Sequence, residues 1–192
     1  MSRKIISSAL AGVILAASAG NFAYAGMTPA KAEKTVMVGG AAMYPSKTIV
    51  ENAVNSKDHT TLVTAVKAAD LVGTLSSAGP FTVFAPTDAA FGKLPAGTVE
   101  TLVKPENKAT LAQVLTYHVV PGRISAADLM AQVKAGGGKA ALKTAQGGTL
   151  TATARDGAVW LTDAKGGMSK VTIANVNQSN GVIHVVDTVL MP

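Results

Sequence analysis

The chain of 192 residues contains no cysteine, and this absence excludes several kinds of chemistry. Without cysteine there is no disulfide, no thiolate-ligated zinc and no thiol nucleophile. A bacterial lipoprotein is anchored through a cysteine just after its signal peptide, so lipid anchoring by that route is excluded as well.

Aromatic and charged residues are also scarce, at 4% and 15% of the chain, whereas hydrophobic residues make up 48%. This balance is typical of a packed globular domain rather than of a disordered chain. The length suffices for one domain, and a chain of this size buries enough surface to be stable without cross-links. With few aromatics, the core must consist mainly of Val, Leu, Ile and Ala.

The only long apolar segment lies at the N-terminus and is typical of a signal peptide. Arg3 and Lys4 precede an uncharged segment at residues 5–17, and Ala23-Tyr24-Ala25 supplies an A-x-A cleavage site. The apolar segment is too short and too rich in small residues for a membrane anchor. We therefore predict a signal peptide at residues 1–25, cleavage after Ala25, a secreted or periplasmic protein, and no transmembrane segment in the mature chain.

The basic residues are dispersed along the chain. Loss of Arg3 and Lys4 with the signal peptide lowers the formal charge from +6 to +4 (6 − 2 = 4), because residues 1–25 contain no acid. Lys134, Lys139 and Lys143 surround a glycine stretch, but no aromatic residue is interleaved with them. Nucleic-acid binding requires a clustered basic face with stacking residues, so no nucleic-acid partner is predicted. Weak attraction to acidic polymers is compatible with the charge.

The N-terminal half of the mature chain shows helical patterns after a glycine-punctuated segment. We predict a flexible leader at residues 26–44 and a folded domain at residues 45–192. Ser46 is the predicted cap of a first helix, Thr60 or Thr61 that of a second, and residues 107–116 fit a third.

After residue 138 the pattern changes to short runs rich in β-branched residues. The runs are separated by residue pairs suited to positive φ, which predicts a meander of hairpins: Gly147-Gly148, Asp156-Gly157, Gly166-Gly167 and Asn180-Gly181. Helices first and hairpins last indicate an α+β fold with segregated layers.

Three segments together carry a resemblance to a known family. Residues 81–91 (FTVFAPTDAAF), Tyr117-His118-Val119-Val120 and residues 180–192 (NGVIHVVDTVLMP) resemble, in this order, the three signature blocks of the fasciclin-like domain family. The resemblance spans nearly everything after residue 45 and implies one domain with a β-sandwich-like core of short strands wedged against a small helical lobe.

The resemblance also implies candidate partners and contact residues. In relatives from animal matrix the tyrosine-histidine block is tied to integrin recognition, which makes Tyr117 and His118 the candidate interaction residues. A second recognition element there, an Asp-Ile pair, corresponds here to Asn175 and Val176, so the acid is absent. Exported algal relatives bind carotenoids, which implies a lipophilic small molecule as the alternative ligand.

Other residues of the blocks have predicted structural roles. Thr87 caps the short helix after Pro86, and Asp88 lies in its first turn, where a carboxylate suits the helix dipole. Asn180 and Gly181 form a tight turn before a strand. His184 interrupts that apolar strand and therefore needs a hydrogen-bond partner.

His118 is predicted to be partly buried, because the predicted helix with inward-facing Leu111 ends there and the apolar pair Val119-Val120 follows. A buried ring nitrogen needs a partner, and Asp88 is the candidate.

No catalytic or metal-binding pattern emerges from the sequence. His59, His118 and His184 lack the i, i+2 or i, i+4 spacing of a metal site, and the chain has no G-x-S-x-G nucleophile motif. The sequence therefore predicts no catalytic residue, no metal and no cofactor. The predicted function is a non-enzymatic exported interaction or adhesion protein that binds a cell-surface or matrix partner, and the alternative is a carrier of a lipophilic molecule such as a carotenoid.

Overall fold

The computed structural model describes residues 34–192, so the predicted signal peptide and its cleavage site lie outside the described residues. Seven short α-helices occur in this part of the chain: α1 (Ile49–Ala53), α2 (Thr60–Ala68), α3 (Val72–Ser76), α4 (Asp88–Gly92), α5 (Thr98–Leu102), α6 (Lys108–Tyr117) and α7 (Ala126–Ala135). It also contains nine strands: β1 (Val36–Val38), β2 (Ala41–Met43), β3 (Phe81–Pro86), β4 (Val119–Pro121), β5 (Lys139–Lys143), β6 (Thr149–Arg155), β7 (Ala158–Thr162), β8 (Met168–Gln178) and β9 (Gly181–Val186).

Strands β3 to β9 form one seven-stranded sheet in the order β4-β3-β9-β8-β7-β6-β5. The last five strands are a consecutive antiparallel meander, as the turn pattern predicted, and only the β3–β9 pair is parallel. The closing strand β9 therefore lies between β3 and β8 and is buried along its whole length. The predicted α+β class is confirmed.

Apolar side chains form two clusters, which lie on opposite faces of β3 and β9. One cluster joins the helices α1 to α6 to one face of β3 and β9, through residues such as Leu62, Leu115 and Ile183. The other lies beneath α7, which contributes Leu129 and Val133 against the inward-facing side chains of β5 to β8. Burial of this apolar area is the main driving force for folding.

The packed part of the chain begins earlier than Pro45, within the segment predicted as a flexible leader. β1 and β2 form an antiparallel hairpin in which Val36 pairs with Met43. Val38 and Met43 are each only 3% exposed and belong to the helix-side cluster. The glycine-rich composition suggested a loop, but Gly39 and Gly40 have positive φ and turn the hairpin, while the apolar residues on either side are buried.

Two helices have N-caps other than the predicted ones. Thr48, rather than Ser46, caps α1, in a capping box with Glu51. α2 begins at Thr60, so the N-cap is His59 rather than the predicted Thr60 or Thr61, and the His59 side chain makes no capping bond. The predicted helix at residues 107–116 is α6, which runs from Lys108 to Tyr117.

Helix α7 was missing from the sequence prediction although its start carries a recognisable pattern. Ser125 and Asp128 form a capping box, in which Ser125 accepts from the backbone N–H of Asp128 and the Asp128 carboxylate accepts from that of Ser125. This S-x-x-D spacing was the available signal.

Three of the four predicted turns use left-handed backbone. Gly147, Asp156-Gly157 and Gly166 all have positive φ, as hairpin turns require. Asn180 and Gly181 have no positive φ, so that part of the prediction is wrong, but the tight turn itself is present, because Ser179 and Asn180 connect Gln178 to its strand partner Gly181. Glycine is needed at 181 for another reason: a Cβ there would collide with the carbonyl oxygen of Phe81 on the parallel strand β3.

Within residues 34–192 we find no helix long and apolar enough to cross a bilayer.

Candidate functional site

The candidate interaction residues Tyr117 and His118 lie inside the molecule, at the junction of α6 and β4. Tyr117 is 1% exposed, and its hydroxyl donates to the carbonyl oxygen of Thr149 at 2.9 Å. The same hydroxyl accepts from the N–H of Ala164 at 3.2 Å. Burial raises the pKa of the Tyr117 phenol. The tyrosine therefore joins α6 to two loops of the meander.

His118 joins the same helix to the C-terminal residues. Its Nδ1 lies 2.8 Å from the carbonyl oxygen of Val114, and its Nε2 lies 3.0 Å from the backbone nitrogen of Leu190. A carbonyl only accepts and an N–H only donates, so these two bonds assign the neutral ring with its proton on Nδ1. Burial lowers the pKa of His118, which agrees with this assignment. Both ring nitrogens are satisfied internally.

Asp88 does not contact His118, so the predicted pair is wrong. Asp88 instead caps α2 from a neighbouring helix: its carboxylate accepts from the backbone N–H of Thr60 at 3.2 Å and of Thr61 at 2.8 Å, and from the Thr60 hydroxyl at 2.6 Å. Partial burial opposes ionisation, but these hydrogen bonds hold the pKa of Asp88 below its ordinary value. Thr87 caps α4 by accepting from the N–H of Ala90 at 3.2 Å.

Asn180 connects three parts of the fold through its side chain. Its amide nitrogen donates to the carbonyls of Leu75 and Ser77, at 2.7 and 2.9 Å, and its oxygen accepts from the N–H of Ile49 at 3.0 Å. These bonds satisfy backbone groups at the start of α1 and the end of α3. Tertiary hydrogen bonding, rather than turn geometry, thus accounts for asparagine at this position.

His184 is fully buried in β9 and forms the hydrogen bonds that were predicted for a buried ring. Its Nε2 lies 2.9 Å from the carbonyl oxygen of Ile124, its Nδ1 accepts from the N–H of Asn175 at 3.4 Å, and its ring stacks on Phe84. Burial lowers the pKa of His184. These contacts lie between β9 and the chain that leads into α7.

The positions that correspond to the Asp-Ile recognition pair are also used internally. Asn175 has a φ of 59° beside a register shift in β8, and its side-chain oxygen accepts from the N–H of Ala126 at 2.8 Å, in the first turn of α7. Asparagine tolerates left-handed backbone better than most residues. Val176 is 1% exposed.

The three histidines are dispersed in space. His59 bonds Ser56 at 2.9 Å, His118 bonds α6 and the C-terminus, and His184 bonds the chain before α7. Among the residues that the structure describes, no group of three His, Asp or Glu side chains is placed to hold a metal ion.

An apolar cavity of about 50 Å³ lies between the helices and the sheet. Its walls include Met43, Leu62, Val66 and Ile183, and His59 and His118 are its two histidines.

The outward side of β5 to β8 is a second candidate site, which the sequence analysis missed. We call it the open face. It comprises outward-facing residues of β5, β6, β7 and the part of β8 that pairs with β7, and they are exposed or half-buried: Lys139, Ala141, Lys143, Thr149, Thr151, Thr153, Arg155, Ala158, Trp160, Thr162, Met168 and Lys170. The opposite side of the same strands is buried beneath α7.

The open face carries four cations, four threonines, the sole tryptophan of the chain and no acid. Along the chain no aromatic lies among Lys134, Lys139 and Lys143, but strand pairing places Trp160 in line with Lys139. The alternation of polar and apolar residues in the four strands was the signal for such a face.

Comparison with known proteins gives one consistent result. The Fasciclin domain family model matches residues 57–192. Protein sll1483 of Synechocystis sp. is 51% identical over 160 residues, which cover 83% of this chain and 82% of that protein. The cell surface glycolipoprotein MPB83 of Mycobacterium bovis is 38% identical over 124 residues, covering 64% and 48% of the two chains.

One solved structure, a FAS1 domain pair from the insect cell adhesion molecule Fasciclin I, superposes with a TM-score of 0.69 at 18% identity. The match covers 78% of this chain and 52% of that structure, so this chain spans about half of the domain pair. At this identity the likeness concerns the fold.

Proposed function

The chain belongs to the fasciclin domain family, and from that premise we propose that it is a non-enzymatic exported protein that binds a cell-surface or matrix component. The family includes adhesion-type proteins, since the matching solved structure comes from a cell adhesion molecule. A relative described as a cell surface glycolipoprotein supports a location outside the cytoplasm. The predicted signal peptide at residues 1–25 agrees with export.

The main support for this proposal comes from the residues of the open face. Tyr117 and His118 are buried and bonded internally, which favours a contact surface elsewhere on the molecule. The open face instead presents Trp160 and Lys170 on a rigid sheet, and tryptophan is among the residue types enriched at binding hot spots. We propose that partners are bound there.

The test is retention on cell-envelope material from the native host. Immobilised envelope fragments should retain the purified mature protein, and the Trp160→Ala variant should be retained at least about tenfold less well. Tyr44→Ala is the matched control, because Tyr44 is an aromatic residue outside the open face, 41% exposed, with the Lys47 ammonium 5.1 Å from its ring centroid, as Lys170 is near Trp160. Equal retention of both variants and the wild type would contradict the open face as the contact surface.

A second candidate function is the carriage of a lipophilic molecule, which the apolar cavity favours. Its walls are mostly aliphatic, and it lies between the helices and the sheet. The cavity of about 50 Å³ is small, since engineered cavities that bind benzene measure about 150 Å³. A carotenoid would therefore require the helices to move away from the sheet, which places this function second.

Visible absorption of the protein purified from its native host tests the carrier function. A bound carotenoid would give an absorption band that disappears on extraction with organic solvent. Val63→Trp, which fills the cavity wall, should abolish the band, whereas Val54→Trp, at a position 49% exposed, should leave it unchanged. A colourless wild-type protein whose extract contains no lipophilic compound would exclude this function.

A further inference from the structure

Four residues form one straight row across the open face. Lys139 on β5 pairs with Thr153 on β6, Thr153 pairs with Trp160 on β7, and Trp160 pairs with Lys170 on β8. Directly opposed residues share a face of the sheet. With strands about 4.8 Å apart, the row extends over about 14 Å. Its tryptophan lies between a lysine at either end.

The cations of the open face are not neutralised by the protein. Within residues 34–192, no carboxylate oxygen lies within 4.0 Å of the side-chain cation of Lys139, Lys143, Arg155 or Lys170. The acid nearest to the row in the strand order is Asp187, which pairs with Lys93 at 3.6 Å and accepts from the backbone N–H of Lys170 at 2.9 Å. The Lys170 ammonium lies 5.9 Å from the centroid of the Trp160 ring. These cations are thus available to an anionic partner.

The centre of the row has unused hydrogen-bonding groups. The Nε1–H of Trp160 and the hydroxyl of Thr153 are shielded from solvent and have no partner among the described residues. An unpaired shielded donor is costly, and a ligand group that reaches it after the Lys170 side chain moves would remove that cost. Hydroxyls of Thr151 and Thr162 occupy the adjacent row. The face therefore combines a flat aromatic ring, hydroxyls and positive charge.

We propose that the open face binds an acidic polysaccharide, a polymer whose sugar rings carry carboxylate or sulfate groups. One sugar ring would lie on the apolar surface of Trp160, its hydroxyls would bond Thr153 and the indole N–H, and the acid groups of neighbouring sugars would pair with Lys139 and Lys170. This inference rests on the proposed function and names the class of its partner.

Single-stranded nucleic acid is the competing anionic polymer. Proteins that bind it present several aromatic side chains on which successive bases stack. The open face has one aromatic residue, and its other central side chains are threonines. A polymer with one ring to stack and many hydroxyls to bond matches this composition better, so the observations favour the polysaccharide.

The fluorescence of the sole tryptophan provides a direct binding measurement. The mature protein should bind polygalacturonate or chondroitin sulfate, with a change in Trp160 emission, and should not bind neutral dextran. Raising NaCl from about 20 to about 200 mM should weaken binding at least about tenfold, because salt screens exposed charges. Absence of binding to both acidic polymers, or equal binding to dextran, would overturn the inference.

Two double variants with the same change in charge distinguish a specific binding site from attraction to the net charge of the protein. Lys139→Glu/Lys170→Glu should bind at least about tenfold more weakly, whereas Lys57→Glu/Lys104→Glu, with the same change in charge on exposed residues outside the open face, should stay within about threefold. Affinity of these variants is measured by calorimetry, and their folding by circular dichroism. Equal losses in the two pairs would mean attraction to net charge alone and overturn the inference.

Two further experimental outcomes distinguish the possible partners. Tighter binding of oligothymidylate than of either polysaccharide would overturn the inference in favour of a nucleic acid. Envelope retention that depends on Trp160, without binding to any acidic polysaccharide, would leave the proposed function standing and reject only this partner class. Absence of both polysaccharide binding and Trp160-dependent envelope retention would reject the proposed function and this partner class together.

Discussion

The junction of α6 with the sheet and the open face of β5 to β8 use polar residues in opposite ways. At the junction, Tyr117 and His118 are buried, and every polar atom of their side chains has a protein partner. On the open face, Lys139 and Lys170 have no carboxylate partner among the described residues, and the Trp160 N–H has no acceptor. The first region is complete in itself, whereas the second has unused binding capacity.

This difference separates family signature from contact surface. The tyrosine-histidine block belongs to the signature by which the family is recognised, and here it joins a helix to the meander and to the C-terminus. Buried, fully bonded polar groups stabilise one particular packing. The open face has no motif of its own, because only strand pairing brings its residues together.

The largest expected effect in this comparison is that of His118→Ala. The substitution empties a buried site and leaves the Val114 carbonyl and the Leu190 N–H unpaired, so we expect a loss of about 3 kcal/mol in the free energy of unfolding. Denaturant unfolding of the mature protein measures it. A wild-type midpoint combined with lost polymer binding would show that His118 is a contact residue.

Acid should destabilise the protein through its buried histidines. Burial lowers the pKa of His59, His118 and His184 below the ordinary value of 6.5, so the unfolded chain binds more protons than the folded one as the pH falls below that value. Stability is therefore highest above pH 6.5 and falls below it, by at most about 1.4 kcal/mol per pH unit for each histidine.

Urea unfolding at pH 7.5 and pH 5.5 tests this expectation, and each histidine should contribute a loss of no more than about 1.4 kcal/mol. His118→Ala should show a smaller pH dependence than the wild type, since it lacks one of the three groups. An unchanged pH dependence in this variant would mean that His118 titrates alike in the folded and unfolded chains.

The next largest effect on stability is expected from substitution of Asp88, which caps α2 from a neighbouring helix. Asp88→Ala removes the acceptor for the N–H groups of Thr60 and Thr61, so we expect a loss of about 1 kcal/mol, the usual value for a helix N-cap. Asp88→Asn keeps an acceptor oxygen and should lose less. Thermal unfolding of both variants at pH 7 provides the measurement, and an equal loss in the two would indicate that the charge matters rather than the hydrogen bonds.

The smallest effect on stability should come from the open face. Lys139→Ser/Lys170→Ser removes two cations that have no carboxylate partner among the described residues, so the free energy of unfolding should change by less than about 0.5 kcal/mol. Binding to polygalacturonate should nevertheless weaken. A large loss of stability would show that these lysines serve the fold, and the contrast with His118 would disappear.

Much of the fold could be predicted from local patterns. The hairpin turns at Gly147, Asp156-Gly157 and Gly166 were recognised because glycine and aspartate at these positions permit positive φ. The extent of α6, predicted at residues 107–116, also followed from apolar spacing to within one residue at each end. The early hairpin β1–β2 was missed, because burial of Val38 and Met43 depends on helices that lie elsewhere in the chain.

Partners of buried side chains could not be predicted in the same way. His118 was expected to be buried and bonded, but its partners, Val114 and Leu190, are backbone groups, and the second lies 72 residues away. Asp88 was expected to interact with a neighbour, and that neighbour is the start of another helix. Backbone acceptors and donors occur at every residue, so the sequence contains no mark of which one a side chain will meet.

By itself the sequence determined the α+β class, the meander at the C-terminal end, the family and the residue types available for chemistry, because these depend on local periodicity, turn residues and composition. The tertiary structure alone decided that Tyr117 and His118 face inward and that Lys139, Thr153, Trp160 and Lys170 form one row on the open face. The physical reason is that exposure and alignment depend on strand register and on which face the helices cover, and both are set by packing between segments far apart in the chain.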